Sequence, residues 1–167
     1  APPVDVFSAW TSLVPTQGAL FSLLRPRRYV DLGVHNGMSF FSASEHSHRL
    51  GLGTECVAID GWEGDLHAGK HDLSVFHNFK ETMAERYPGQ IYIQGYFDGA
   101  SNLFEDGSID LLHIDGLHTY EAVKHDFDTW KDKLSSRGVV IFHDINVHER
   151  NFGVWRLWGQ LRIGTKS

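Results

Sequence analysis

A single cysteine, Cys56, in a chain of 167 residues leaves no intrachain disulfide to form. None is needed, because a domain of this length buries about two thirds of its unfolded surface without staples. Cys56 opens the apolar run Cys56-Val57-Ala58-Ile59, so it reads as a small buried apolar residue rather than a reactive thiol. No apolar run approaches the roughly 20 residues that a membrane-spanning helix requires, and no signal-type apolar segment follows Ala1. These absences predict a cytoplasmic protein without a membrane span. Basic residues are also short: 15 Lys and Arg stand against 21 Asp and Glu, for a net charge of −6. That balance argues against nucleic-acid partners, whose phosphates need clustered cations. The one basic cluster, Arg25, Arg27 and Arg28, reads as a solvated helix end. Internal repeats and low-complexity tracts are missing, and a dinucleotide-gripping G-x-G-x-x-G is not found.

Histidine is plentiful, with eleven in the chain. His46, His48, His67, His71, His77 and His125 fall in expected loops or on helix faces, where a solvated ring is the default. The apolar runs alternate between two periods. Tyr29–Gly33, Cys56–Asp60, Ile91–Gln94, Ile109–Asp115 and Gly138–Asp144 read as short buried strands. Helical spacing links Phe40 to Leu50, Phe76 to Tyr87, Tyr120 to Leu134 and Val154 to Leu161, with Pro88-Gly89 as a stop. A short helical segment is expected through Asn102-Leu103-Phe104. Val6, Trp10, Leu13, Val14, Leu20, Phe21 and Leu24 predict an N-terminal helical cap over residues 1–27 that covers a sheet edge. Strands alternating with helices make an α/β, doubly wound, mainly parallel sheet with helices on both faces.

In such a sheet, ligands collect at the carboxyl ends of the strands. Ile109-Asp110-Leu111-Leu112-His113-Ile114 runs out of apolar residues at Asp115-Gly116-Leu117-His118, which places Asp115 and His118 at that edge as candidates for chemistry. His113, inside the strand, reads as core or as support for a neighbour. Asp31-Leu32-Gly33-Val34-His35-Asn36-Gly37-Met38-Ser39 forms a glycine turn leading into a helix N-terminus, which can approach and hold a polar ligand. Asp60 ends the next strand 23 positions after Gly37, the spacing of a carboxylate on a ribose diol; a turn or cap is its alternative role. The glycine-rich stretch Gly61–Asp72 is a candidate lid or a plain connection, and Trp62 follows Asp60 closely enough to pack on a ligand. Val140-Ile141-Phe142-His143-Asp144 again ends a strand in polar residues. Acids on neighbouring strand ends, about 4.8 Å apart, can share a cation, and a nearby histidine can deprotonate a hydroxyl that the cation holds.

The order Asp31-x-Gly33-x-x-x-Gly37-x-Ser39, Ile59-Asp60-Gly61, His113-Ile114-Asp115-Gly116-x-His118-x-Tyr120 and Phe142-His143-Asp144 resembles the class I S-adenosylmethionine-dependent methyltransferases. The similarity covers residues 28 to 162. Within that class it is most similar to the branch with the metal-dependent sugar O-methyltransferases of macrolide tailoring and the cephalosporin-hydroxylase-like proteins. The resemblance implies a Rossmann-like methyltransferase domain over residues 28–167. S-adenosylmethionine would be held by Asp31, Gly33, His35, Gly37, Ser39, Asp60, Gly61, Trp62 and Phe97, with Tyr96 near the adenine. It implies His118 as general base with Asp115 beside it, and a divalent metal, magnesium or manganese, on Asp115, His143 and Asp144. Where relatives can carry an acid, this chain has His143, an imidazole that suits manganese, iron or zinc better than magnesium. The fold normally closes with two further strands, which the residues after Asp144 do not resemble; a fragment of a longer protein is expected. A small-molecule or glycan substrate fits this branch, as does a homo-oligomer or fusion to a carbohydrate-active domain. A metal-dependent hydrolase and a non-catalytic cofactor-binding or scaffold domain are the alternatives; the hydrolase leaves the glycine turn and Asp60 without a task.

Overall fold

The computed structural model describes residues 5–8, 13–34, 37–62, 71–115 and 120–142. Their strands are β1 (Asp5–Ser8), β2 (Arg28–Leu32), β3 (Glu55–Asp60), β4 (Ile91–Gln94), β5 (Ile109–Ile114) and β6 (Leu134–Phe142). All pair in parallel in the order β1-β6-β5-β2-β3-β4. Between them run α1 (Leu13–Leu24), α2 (Met38–Leu50), α3 (His71–Arg86), α4 (Phe97–Ser101) and α5 (Tyr120–Trp130). No described helix is long and apolar enough to cross a membrane.

The central strands are nearly continuous apolar runs because both faces are covered. Val30, Leu32, Val57, Ile59, Leu112, Ile114, Val140 and Phe142 pack on one face with Val123, Phe127 and Trp130 of α5. The alternate residues Tyr29, Cys56, Ala58, Leu111, Val139 and Ile141 face Phe21 of α1, Phe40 and Ala43 of α2, and Phe79 and Met83 of α3. Burial pushes the Cys56 thiol up to about 12, so it is the inert core residue that its neighbours predicted.

Three expectations are corrected. Within the N-terminal cap expected to be helical, Asp5–Ser8 is a strand, pairing with Val139–Phe142 at the sheet edge. Helix α5 ends at Trp130 rather than Leu134, and β6 starts at Leu134, four residues before Gly138. The polar run Ser135-Ser136-Arg137-Gly138 hides that strand, yet Leu134 is registered against Ile109. The basic cluster is a solvated helix end only in part: Arg25 and Arg27 are exposed just past α1, and Arg28 is half-buried. Arg28 pairs with Glu55 across β2 and β3 at 3.1 Å, and Arg27 pairs with Asp110 at 3.2 Å.

Asp110 is the polar anchor at the amino end of the sheet. Its buried carboxylate accepts from the Arg27 backbone N–H at 2.8 Å, the Arg27 guanidinium and the Ser135 hydroxyl at 2.6 Å. Burial by itself would raise its pKa, but these bonds and the Arg27 charge outweigh that and lower it. A lowered folded value means that the stabilisation is complete above the unfolded carboxylate pKa of about 4 and is lost as pH falls through the folded one. Asp110→Ala leaves the Arg27 N–H and Ser135 hydroxyl without an acceptor and is expected to cost about 2 kcal/mol in urea unfolding at pH 7. The gap from the native protein should narrow below about pH 4.

Candidate functional site

Strand order reverses direction at β2: β3 and β4 lie to one side, β5 and β6 to the other. The crevice outside the carboxyl ends of β2 and β5 is therefore the switch point of the sheet. The ladder continues just past the strands there. The Gly33 N–H donates to the Ile59 carbonyl at 2.9 Å, the Asp115 N–H to the Leu32 carbonyl at 2.9 Å, and the Gly95 N–H to the Asp60 carbonyl at 3.0 Å. Gly33 is thus set between Asp60 on one neighbouring strand and Asp115 on the other, with the two acids about 10 Å apart at two strand spacings.

The turn between β2 and α2 needs its glycines. Gly33 has φ 85° and Gly37 has φ 93°, in the region that side chains avoid. A Cβ on Gly37 would also lie 2.6 Å from Phe41 and 2.7 Å from Phe79. The Gly37 N–H closes the turn on the Val34 carbonyl, and its carbonyl receives the Phe41 N–H to start α2.

Behind this turn lies a buried polar network. Asp31 is 0% exposed, and its Oδ2 accepts the hydroxyls of Ser39 at 2.6 Å and Tyr29 at 2.9 Å. Its Oδ1 is 2.9 Å from Nδ1 of His113, the residue opposite it on β5. Since a carboxylate only accepts, all three partners donate. The Gln17 carboxamide of α1 gives its two protons to the Tyr29 hydroxyl at 3.2 Å and the Ser39 carbonyl at 3.0 Å. Burial, and then the Asp31 charge, raise the Tyr29 pKa well above its ordinary value, so the phenol keeps its proton. Asp31 and Ser39, both expected at the site, support the turn from beneath. Gln17 and Tyr29 were not anticipated; Tyr29 shares the strand face of Asp31 two residues on, a signal that was available.

The other expected residues divide. Asp60 carries the turn role that was its alternative, its Oδ1 accepting the Trp62 N–H at 3.0 Å, and this bond orients the carboxylate at the edge. The Gly61 carbonyl accepts from Gln94 at 3.3 Å. Trp62, expected to pack on the cofactor, has a φ of 48° and is 5% exposed, its ring stacked on Phe76 at 4.6 Å with Phe79 at 4.9 Å. Phe97 opens α4 and packs against the β3 core face, while Tyr96 is exposed. His125 of α5, expected to be a solvated histidine, meets both oxygens of Asp98 on α4 at 2.8 Å. His35, His118, His143, Asp144, most of the candidate lid and the expected final helix lie outside the described residues. Asp115 is the one expected metal ligand inside them, and among the described residues no three His, Cys, Asp or Glu are grouped to hold a metal ion. A hollow of about 730 Å³ lies at the opposite edge, between the C-terminal ends of α2 and α3 and the start of β3, away from the switch point.

A family described as a methyltransferase domain matches residues 30–145, more than half of the chain. The uncharacterized protein y4gI of Sinorhizobium fredii is 42% identical over 157 residues, which are 94% of this chain and 17% of that protein. The chain therefore spans less than a fifth of that relative's length. Among solved structures, the methyltransferase PaMTH1 of Podospora anserina, bound to S-adenosylhomocysteine, superposes with a TM-score of 0.62 at 15% identity, over 91% of this chain and 66% of that one. The O-methyltransferase TomG of Streptomyces achromogenes, in complex with S-adenosylmethionine, gives 0.60 at 18% identity, over 90% and 67%. No finding favours the hydrolase or the scaffold reading. With residues 30–145 running from β2 past β6 and through both sides of the switch point, the chain belongs to the methyltransferase-domain family and has the Rossmann-like fold of the class I S-adenosylmethionine-dependent methyltransferases.

Proposed function

We propose that this domain transfers the methyl group of S-adenosylmethionine to a hydroxyl of a small acceptor, a sugar or glycoconjugate of the kind handled by the branch with metal-dependent sugar O-methyltransferases. One observation carries the reading: the positive-φ turn at Gly33 sits at the switch point with Asp60 on one side and Asp115 on the other. The lack of a side chain at Gly33 lets a ligand approach the backbone of the turn, and Gly37 lets the turn seat on Phe41 and Phe79, with His35 and Ser39 as the further cofactor residues. Asp60 accepts from the ribose hydroxyls, and Gly61 and Phe97 border the nucleoside. The buried ring of Trp62 supports this wall from behind rather than lining it.

When bound, the cofactor supplies an electrophilic methyl on a sulfonium. His118 takes the proton of the acceptor hydroxyl, and Asp115 orients that hydroxyl at the strand end. Transfer to the acceptor oxygen would break the carbon–sulfur bond and release a thioether, and the His118 imidazole would keep the hydroxyl proton. Asp115, His143 and Asp144 are the proposed ligands of a magnesium or manganese ion; carboxylate and imidazole donors together suit manganese. We place the reaction in the cytoplasm and take the domain to work within a longer protein, a reading supported by the much greater length of the Sinorhizobium relative.

Calorimetric titration should show S-adenosylmethionine binding at one site, weakened about tenfold or more by Asp60→Ala. Absence of binding by the native protein would remove the proposal. Gly37→Ala is expected to destabilise the fold by about 3 kcal/mol, from backbone strain and overlap with Phe41 and Phe79, seen as a lower thermal midpoint. His118→Ala should retain cofactor binding while methylation across a panel of sugar acceptors falls about 10²- to 10⁴-fold. Turnover unchanged by that substitution would reject the assigned base, and turnover unchanged by a chelator would reject the metal.

A further inference from the structure

We propose that Gln17 is a positioning residue of the cofactor turn, through which helix α1 holds the first turn of α2 in its ligand-ready geometry. This deepens the reading above and rests on the glycine turn being the S-adenosylmethionine site.

The direction of every proton in the network follows from its ends. The Ser39 carbonyl can only accept, so the Gln17 amide must point its nitrogen there, and the second N–H meets the Tyr29 oxygen. The Tyr29 proton is committed to Asp31, as is that of Ser39. Ser39 is therefore clamped twice, from α1 at its carbonyl and from β2 at its hydroxyl. It lies two residues after Gly37, in the first turn of α2, whose free N–H groups face the ligand edge. A shift of Ser39 would tilt those donors.

Gln17 is 0% exposed, and its Oε1 meets no hydrogen-bond donor among the described residues. An apolar side chain of the same size would fill the space but could make neither donation. The polar choice is accounted for by the two donations it makes, one to Ser39 in the first turn of α2 and one to Tyr29 of β2, neither within the helix that carries it. Elsewhere between α1 and α2, Phe21 and His46 meet in a tilted ring contact at 5.9 Å.

The test separates positioning from packing. Gln17→Met keeps the volume and removes both donors. Gln17→Glu keeps the shape, and it can donate only while its carboxyl is protonated. The dissociation constant for S-adenosylmethionine is measured by calorimetry on folded protein at 25 °C, beside thermal midpoints, from pH 5 to pH 8. We expect Gln17→Met to weaken binding about tenfold at every pH. For Gln17→Glu the ratio of its dissociation constant to that of the native protein should grow as pH rises and the carboxyl loses its proton. A double-mutant cycle with Tyr29→Phe should be non-additive, since both act on the same chain of bonds. Should both Gln17 variants fail to fold, Tyr29→Phe, which removes one hydroxyl, carries the same measurement. Lower midpoints with native affinity and a flat pH ratio would overturn the proposal and leave Gln17 a packing residue. If the native protein does not bind S-adenosylmethionine, the cofactor reading falls first and this inference with it; if it binds and the variants match it, only the inference falls.

Discussion

The buried carboxylate of Asp31 is the constraint on which the rest of this structure depends. An ionised group taken out of water costs several kcal/mol unless donors replace its hydration. Here three donors do so, and each comes from a different place: Tyr29 from the same strand, Ser39 from α2 and His113 from the neighbouring strand. Satisfying one charge therefore fixes the pairing of β2 with β5, the docking of α2 on the sheet and, through Gln17, the seat of α1. A one-residue slip of β5 would send His113 to the opposite face and leave the charge short of a partner. Because β2 and β5 flank the switch point, the same bonds that stabilise the core set the shape of the crevice.

The sheet divides its polar residues by end. At the amino edge, Asp110 ties together Arg27 and Ser135, and Arg28 pairs with Glu55; these close strand starts. At the carboxyl edge, Asp60 and Asp115 stand on either side of a glycine whose N–H is bound to the neighbouring strand. Parallel strands make this division possible, since all of their carboxyl ends fall on one side. The aromatic group of Phe41, Trp62, Phe76, Phe79 and Tyr92 then fills the space beneath the β3 side of that edge.

Much of this was legible because the signals are local. Val57-Ala58-Ile59 and Leu111-Leu112 have the continuous apolar character of strands covered on both faces, and Val123, Phe127 and Trp130 have helical spacing. The glycines at 33 and 37 announced a turn with positive φ. Where the reading failed, the deciding contact was distant. Asp5–Ser8 is four residues long and is a strand only because β6 offers an edge to pair with. Leu134 joins β6 because Ile109 lies opposite it, against a polar run that reads as a turn. Arg27 is exposed, as it reads, but its pairing with Asp110, 83 positions away, has no local signal.

The candidate site shows the same boundary. By itself the sequence determined the alternation of strands and helices, the turn at Gly33–Gly37 and the acids at strand ends, because period, glycine chemistry and strand length act over a few residues. Only the tertiary structure decided that His113 meets Asp31, that Gln17 reaches Ser39 and that Trp62 turns inward. Those outcomes follow from which strands are neighbours and which helix covers which face, and both are set by the burial of the whole sheet rather than by any single segment.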